Sequence, residues 1–342
     1  MVVYARYVLP RFAKGWILPA LQRNIGPFTT VAEPPSRLSD MPTLSAKHLG
    51  KIAVDVSRCA YSDIIIWQKF IECCSEKLLL LDGKDTLRIW KGVVTFYRNY
   101  EYILRAPDAG FIQSLISHST DVTNGYTCDE LSQLSEHVCN MVSVNDVLLP
   151  FATPLYSKIG VMFHMRLAES TPYDVVRLLV SFSRIGVKDV VLLESLAEYI
   201  CMSDGFSEYD LRNILTSYAM VGYQSPALFK YVTERFLSAQ GVSINDVAIL
   251  SFGYTSVNYI TPEVRTLFEK HIFLDGKGHP SLMDLKDCAV DIPLFCLNLD
   301  RMGLKIPNEL IELIRIDDLT ESCFLKLAHL LPITEKTQRK VL

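Results

Sequence analysis

The 342-residue chain lacks most of the features from which a chemistry is usually read. No uncharged apolar run reaches the roughly 18 residues that a transmembrane helix needs, so no transmembrane segment is expected. The nine cysteines are odd in number and scattered, and no CxxC occurs. That excludes a disulfide framework and a paired-cysteine zinc site, and it points to reduced, buried thiols acting as small hydrophobes. HExxH, GxSxG and Asp-rich calcium-loop strings are all missing. So is a glycine-rich phosphate loop, because the Gly276-Lys277-Gly278 stretch is followed by no Ser or Thr and reads as a turn between helices. A global basic surplus is absent too: 34 Lys and Arg stand against 38 Asp and Glu, giving a formal charge of -4 and a pI near 6.0.

The first 32 residues have no acid at all and carry Arg6, Arg11, Lys14 and Arg23 among aromatic and apolar residues, so the rest of the chain is the acidic part. This basic, acid-free leader has the composition of an amphipathic mitochondrial transit peptide, without the continuous apolar core of a secretory signal. An N-terminal arm is the other reading. Residues 33–46 hold three prolines and three serines and read as a linker, which completes a leader-plus-linker segment over 1–46.

What the chain has in abundance is apolar side chain, 49 % of residues, and helical periodicity from Lys47 nearly to the end. The periodicity itself repeats. Asp174, Asp210 and Asp246 recur every 36 residues, and in the same frame Leu178, Ile214 and Leu250 coincide, as do Phe182, Tyr218 and Tyr254. Turns follow at Gly186, Gly222 and Asn258. Beyond them Leu192, Leu228 and Val264 align, then Leu196, Val232 and Phe268, then Ile200, Phe236 and Ile272.

Each unit reads as a hairpin of two short helices. The Asp lies near the start of the first helix, where a carboxylate complements the helix dipole and its orphan N–H groups. Gly186 or Gly222 ends that helix in a left-handed conformation. Asp189, Ser225 or Thr261 caps the second helix, with Pro226 and Pro262 in its first turn. One such hairpin cannot bury its apolar face alone, so units must stack. The predicted fold is therefore all-α, an α-solenoid of helix-turn-helix repeats of about 36 residues. Residues 47–170 form degenerate repeats, with helices expected over roughly 48–60 and 129–141. Residues 171–275 are the clearest repeats, and 276–342 form a degenerate repeat, with Gly303–Leu310 matching Gly222–Leu228, and a C-terminal helical cap.

These units resemble octotricopeptide and heptatricopeptide repeats, of the kind found in FASTK-like mitochondrial proteins. The resemblance rests on LLVSFSRIGVKDVVLLESLAEYI (178–200), ILTSYAMVGYQSPALFKYVTERF (214–236) and, more loosely, KIAVDVSRCAYSDIIIWQKFIECC (51–74). It implies an organellar protein of the mitochondrial matrix, working in RNA processing, RNA stability or the mitochondrial ribosome within a ribonucleoprotein. The RAP domain that closes many members is not detectable in the helical tail, which leaves the family's nuclease-like element without a counterpart.

Candidate chemical groups point the same way. His137 and Cys139 form one close pair with no second pair to complete a zinc site. Glu194 and Glu198 sit four apart, as on a solvated helix face. Arg177 aligns with Asn213 and Ile249, and Arg184 with Met220 and Ser256, so no basic column recurs as repeat-by-repeat RNA recognition would need. The Phe182, Tyr218, Tyr254 column fits core packing better than stacking on bases. No catalytic, cofactor-binding or metal-binding residue is assigned, no RNA-contacting residue is singled out, and no cofactor is expected. The expected function is that of a non-catalytic scaffold subunit of a mitochondrial RNA-linked assembly. Its partners would be other protein subunits and, peripherally, mitochondrial rRNA or mRNA, not a small-molecule substrate. The alternatives are a lineage-specific structural subunit of a respiratory or ATP synthase complex and a cytosolic scaffold. A fluorescent protein fused behind residues 1–46 is expected to enter mitochondria; diffuse cytosolic fluorescence would reject the targeting reading.

Overall fold

A computed structural model describes residues 38–60, 64–100, 106–274, 277–287, 290–316, 319–329 and 331. The basic leader 1–32 and residues 61–63 lie outside them. The described chain is all-α: α1 (Ala46–Cys59), α2 (Ile64–Glu76), α3 (Gly83–Tyr100), α4 (Ala106–Val122), α5 (Cys128–Val144), α6 (Leu149–Met165), α7 (Pro172–Ile185), α8 (Val190–Met202), α9 (Glu208–Met220), α10 (Pro226–Ser238), α11 (Ile244–Ser256), α12 (Pro262–Ile272), α13 (Ile292–Arg301), α14 (Asn308–Glu312) and α15 (Glu321–Leu327). The one extended feature described is a two-residue antiparallel ladder, Phe273–Leu274 against Lys277–Gly278.

The 36-residue register is visible in hydrogen bonds. Thr171, Ser207 and Ser243 are the N-caps of α7, α9 and α11, and each hydroxyl accepts the N–H of the Asp three residues on: Asp174, Asp210 and Asp246. At α7 and α9 the Asp carboxylate returns the favour by accepting the cap's own N–H, at 3.0 Å in both. Such a reciprocal box satisfies two orphan donors and is worth about 1 kcal/mol per cap. The far ends repeat as faithfully. Gly186, Gly222, Asn258 and Gly303 all have positive φ, from 58° to 79°. Each is followed by an N–H that reaches back to the helix, Val187 to Phe182, Tyr223 to Tyr218, Tyr259 to Tyr254 and Leu304 to Leu299, at 2.9–3.0 Å. This is a Schellman closure, and Asn is the side chain that best tolerates it after Gly. The second helices open as read from the sequence, with Asp189, Ser225 and Thr261 accepting the N–H of Leu192, Leu228 and Val264.

The chain forms two compact units that meet at Tyr199 and Ile200. This boundary falls inside the 171–275 stretch of clearest register, so regularity of sequence and compactness of packing do not coincide. In the unit ending at Tyr199, the first helices of successive hairpins lie side by side, α1 on α3, α3 on α5 and α5 on α7, while α2, α4 and α6 form a second layer. In the unit beginning at Ile200, α9 packs on α11 and α11 on α13, with α10 on α12 behind them. Each unit thus has the two-layer stacking of a helical repeat. Irregularity enters where the sequence register fails: the ladder and the 3-10 segment Pro280–Asp287 separate α12 from α13, and the 3-10 segment packs on α11 and α14.

Large side chains fill the space between layers. Trp67 stacks on Phe96 at 4.1 Å between centroids, and the Trp90 indole N–H donates to Ser119 Oγ at 2.8 Å. Part of the stretch read as a linker is not free chain. Leu38–Thr43 form a 3-10 turn against α2, Met41 is buried, and Lys77 Nζ donates to the carbonyls of Pro42 and Leu44. An ammonium that satisfies two turn carbonyls fastens a segment whose prolines cannot make ladder bonds.

Helices α1 and α3 approach each other most closely, through glycine. A Cβ at Gly92 would stand 2.7 Å from the Ala53 carbonyl oxygen, and one at Gly50 would stand 3.0 Å from Asp85 Cβ. Gly92→Ala is expected to destabilise the chain by about 1–3 kcal/mol through overpacking against backbone. Gly110→Ala on α4, with open space around its Cβ, is expected to stabilise it by about 0.5–1 kcal/mol. Urea unfolding midpoints of the two variants check this; midpoints that shift together would refute the close approach.

Candidate functional site

The residues with chemical potential in the sequence do not converge. Phe182, Tyr218 and Tyr254 are buried in the core. Phe182 meets Tyr156 edge-on at 4.9 Å, and Tyr254 packs between Phe229 and Phe268 while its hydroxyl pairs with Thr233 at 2.9 Å. Burial pushes the Tyr218 and Tyr254 hydroxyls well above their ordinary range. Glu194 and Glu198 lie exposed on α8. Asp275 and Gly276 lie outside the described residues; beyond them, His279 Nδ1 bonds Ser281 Oγ at 2.6 Å, a local turn contact. Burial raises the thiols of the eight described cysteines, Cys128 to about 11 and Cys296 to about 12. Thiolate chemistry is suppressed at such values. Among the described residues no group of three His, Cys, Asp or Glu side chains is placed to hold a metal ion.

Polar side chains gather instead in the seams between first helices. Along the α5–α7 seam, Arg177 donates to Asp129 at 3.1 Å and to Ser132 at 3.2 Å, its Nε lies 3.5 Å from Glu136, and its guanidinium stacks 4.2 Å from the centre of the exposed Tyr173 ring. Two turns further on, Arg184 reaches Asn140 and Ser143. In the other unit Arg212 pairs with Asp246 and stacks over Tyr209, and Asn298 bridges Thr255 and Ser251 at 2.9 and 3.1 Å. The two arginines that failed to form a repeat column in the sequence therefore cross-link helices. A half-buried ion pair fixes the register of neighbouring repeats more than it adds stability.

His137 lies on α5, within range of the charges of Arg177 on α7 and Lys91 on α3, with its Nδ1 sealed from solvent and without a hydrogen-bond partner among the described residues. Burial, reinforced by the charges of Arg177 and Lys91, pulls its pKa down to about 4.

The surface carries the remaining signal. In the unit ending at Tyr199, the solvent side of the first-helix layer is segregated by charge. On α1 and α3 it shows Lys47, Lys51, Arg58, Lys84, Arg88 and Lys91, all exposed, whereas α5 presents Asp129, Gln133 and Glu136. In the opposite layer α2 exposes Lys69, Glu72 and Glu76, whereas α4 and α6 carry little charge. The outer stripe of α6 consists of Pro150, Pro154, Ser157, Val161, His164 and Met165, and that of α4 of Gly110, Ser114, Ser117 and Asp121. Both stripes were present in the sequence at helical spacing, but nothing there distinguished a solvent face from a buried one.

Comparison with models of known families and with curated proteins finds no match to this chain.

The His137 shift has a definite sign. Between about 6.5 and about 4 the unfolded chain binds a proton at this ring that the folded chain refuses, so stability falls as pH drops through that window. The loss is up to about 2 kcal/mol between pH 6.5 and 5, since each pH unit carries about 1.4 kcal/mol. His137→Gln is expected to flatten the fall, measured as Tm at pH 7 and pH 5; equal falls in wild type and variant would place the pH response elsewhere.

Proposed function

We propose that the chain is a non-catalytic helical-repeat subunit of a mitochondrial RNA-linked assembly, a mitochondrial ribosome or RNA-processing complex, acting through protein–protein contacts with peripheral contact to RNA. The observation that carries the reading is the sparsely charged outer face of α4 and α6, where Asp121 is the one carboxylate of the two stripes. Met165 is 72 % exposed and Val161 56 %, and on the same unit Leu79 and Leu80 are 85 % and 75 % exposed. Large apolar side chains left exposed in such number on one unit suit a surface that neighbours cover. Supporting it are the thiol and tyrosine groups held unreactive by burial, the polar side chains used to cross-link helices, the resemblance of the repeats at 178–200 and 214–236 to organellar RNA-associated proteins, and the acid-free leader over residues 1–32.

A structural subunit of a respiratory or ATP synthase complex would bury the same face, and the two readings separate in one experiment. Sedimented from mitochondrial lysate, the tagged chain is expected in a large particle that RNase treatment shifts to lower mass. Co-migration with detergent-solubilised membrane complexes, indifferent to RNase, would replace this reading with the other.

A further inference from the structure

Six cations stand in two rows on the α1–α3 surface, and their placement repeats. Ser45 caps α1 and Asp82 caps α3; counted from these caps, Lys47 and Lys84 occupy one equivalent position and Lys51 and Arg88 another. The column does not continue as free charge into the clearest repeats: Arg177, six beyond its cap Thr171, is paired with Asp129, and the equivalent position on α9 is Asn213. Two sites of one repeat frame carrying cations on successive helices set this pair apart from a scatter of surface lysines.

The rows face the same way. On α1, Gly50, Ala53 and Ser57 are buried on the side toward α3, and Lys47, Lys51 and Arg58 lie about a quarter-turn around the helix from them. On α3, Asp85 and Gly92 point at α1, and Lys84, Arg88 and Lys91 lie a similar angle away, on the side opposite the buried Val93. The glycine contacts hold the axes near the short end of the usual range of about 8–10 Å, so the two rows border one shallow track.

The charge of the track is largely uncompensated. Arg88 pairs with Asp85 at 2.7 Å. Lys47, Lys51, Arg58, Lys84 and Lys91 have no ion-pair partner among the described residues. The exposed acids nearby are Asp55, one turn from both Lys51 and Arg58 on α1, Asp82 at the cap of α3, and Asp129 on the neighbouring α5, so the six cations still outnumber the acids beside them. Lys47 and Lys84 also sit in the first turns of their helices, where a positive charge opposes the helix dipole. Such a placement works against stability and raises the local positive potential. Among the described side chains of the two helices no Trp, Tyr or Phe is exposed, and the exposed His48 ring is engaged by Ser45 Oγ at 2.7 Å, so the track offers cations with little stacking platform.

From this geometry we infer that the α1–α3 track binds the phosphodiester backbone of single-stranded RNA, independently of base sequence, and that the regular repeats from α7 onward take no part in reading bases. A flexible strand can lay regularly spaced phosphates between two parallel rows of cations, while the described side chains of the track expose no Trp, Tyr, Phe, Asn or Gln to read bases. The inference rests on the RNA-linked reading above and locates the contact that reading requires. It assigns binding to a sequence-independent track at one end of the chain, not to a code spread over the repeats.

The test uses the full-length chain and a fluorescein-labelled 20-mer of oligouridylate, with fluorescence anisotropy followed across KCl concentration. Lys51→Glu with Lys91→Glu reverses two exposed charges that make no ion pair among the described residues, and thermal melting confirms that the variant folds. Wild type is expected to bind, and the variant to bind at least tenfold more weakly at low salt. The slope of log affinity against log salt is expected to become shallower by about 1.4, since each phosphate contact contributes about 0.7 on a single strand. The charge-retaining pair Lys51→Arg and Lys91→Arg should bind like wild type. Oligouridylate and a mixed-sequence 20-mer should bind alike. Undetectable binding by wild type, unchanged affinity of the charge-reversed variant, or equal competition by polyglutamate of matched charge would each overturn the inference. An RNase-sensitive particle in the sedimentation experiment combined with any of those outcomes would leave the RNA-linked reading standing with its contact elsewhere. Binding through the track without an RNase-sensitive particle would remove that reading and keep the track.

Discussion

Short helices cannot satisfy their own hydrophobic faces, and this constraint organises everything else in the chain. A helix of thirteen or so residues, such as α9 or α11, presents apolar side chains on more than one side. Those sides are covered only when a preceding helix, a following helix and a second layer are all present. Burial is therefore cooperative along the chain. The caps and left-handed turns do not drive it; they set each hairpin's angle so that the next helix arrives where the apolar face needs cover. Thr171 with Asp174, Ser207 with Asp210 and the residue pairs closing at Gly186, Gly222 and Asn258 are that angular specification, repeated with little variation.

Given such a framework, polar groups inside it are assigned by geometry before they are available for chemistry. Arg177, Arg184, Arg212 and Asn298 lie in seams between stacked helices, where they find carboxylates, amides and hydroxyls from the neighbouring repeat. His137 on α5 is without a partner for Nδ1 and stays neutral there. What remains free to act is surface: a sparsely charged face on α4 and α6 and a mainly cationic one on α1 and α3. The chain's net acidity hides the second, because most of the acids lie elsewhere and a sum over the whole chain erases a local excess.

The sequence and the fold agree where the signal is local. Cap residues, proline in first turns and residues suited to positive φ act within a few positions, so they can be read from one chain. Even Asn258, which breaks the glycine pattern, was legible as a turn because Asn is the next most tolerant residue there. The expected helices over roughly 48–60 and 129–141 appear as Ala46–Cys59 and Cys128–Val144, with errors confined to their ends. The packing of Leu38–Thr43 within the Pro/Ser segment is not legible locally, because its anchor, the Lys77 ammonium, comes from just beyond α2, more than thirty residues away.

By itself, the sequence determined the all-α class, the hairpin as the repeating unit, the register from Asp174 to Asn258 and the residues that start and stop each helix. Only the tertiary structure decided which face of each helix meets solvent, that Gly92 and Gly50 bring α1 against α3, that Arg177 spans to Asp129, and where one compact unit ends and the next begins. The reason is range. Capping and turn preferences are carried by neighbours in sequence, whereas exposure, ion pairing and the alignment of two cationic rows depend on side chains that folding brings together from distant segments.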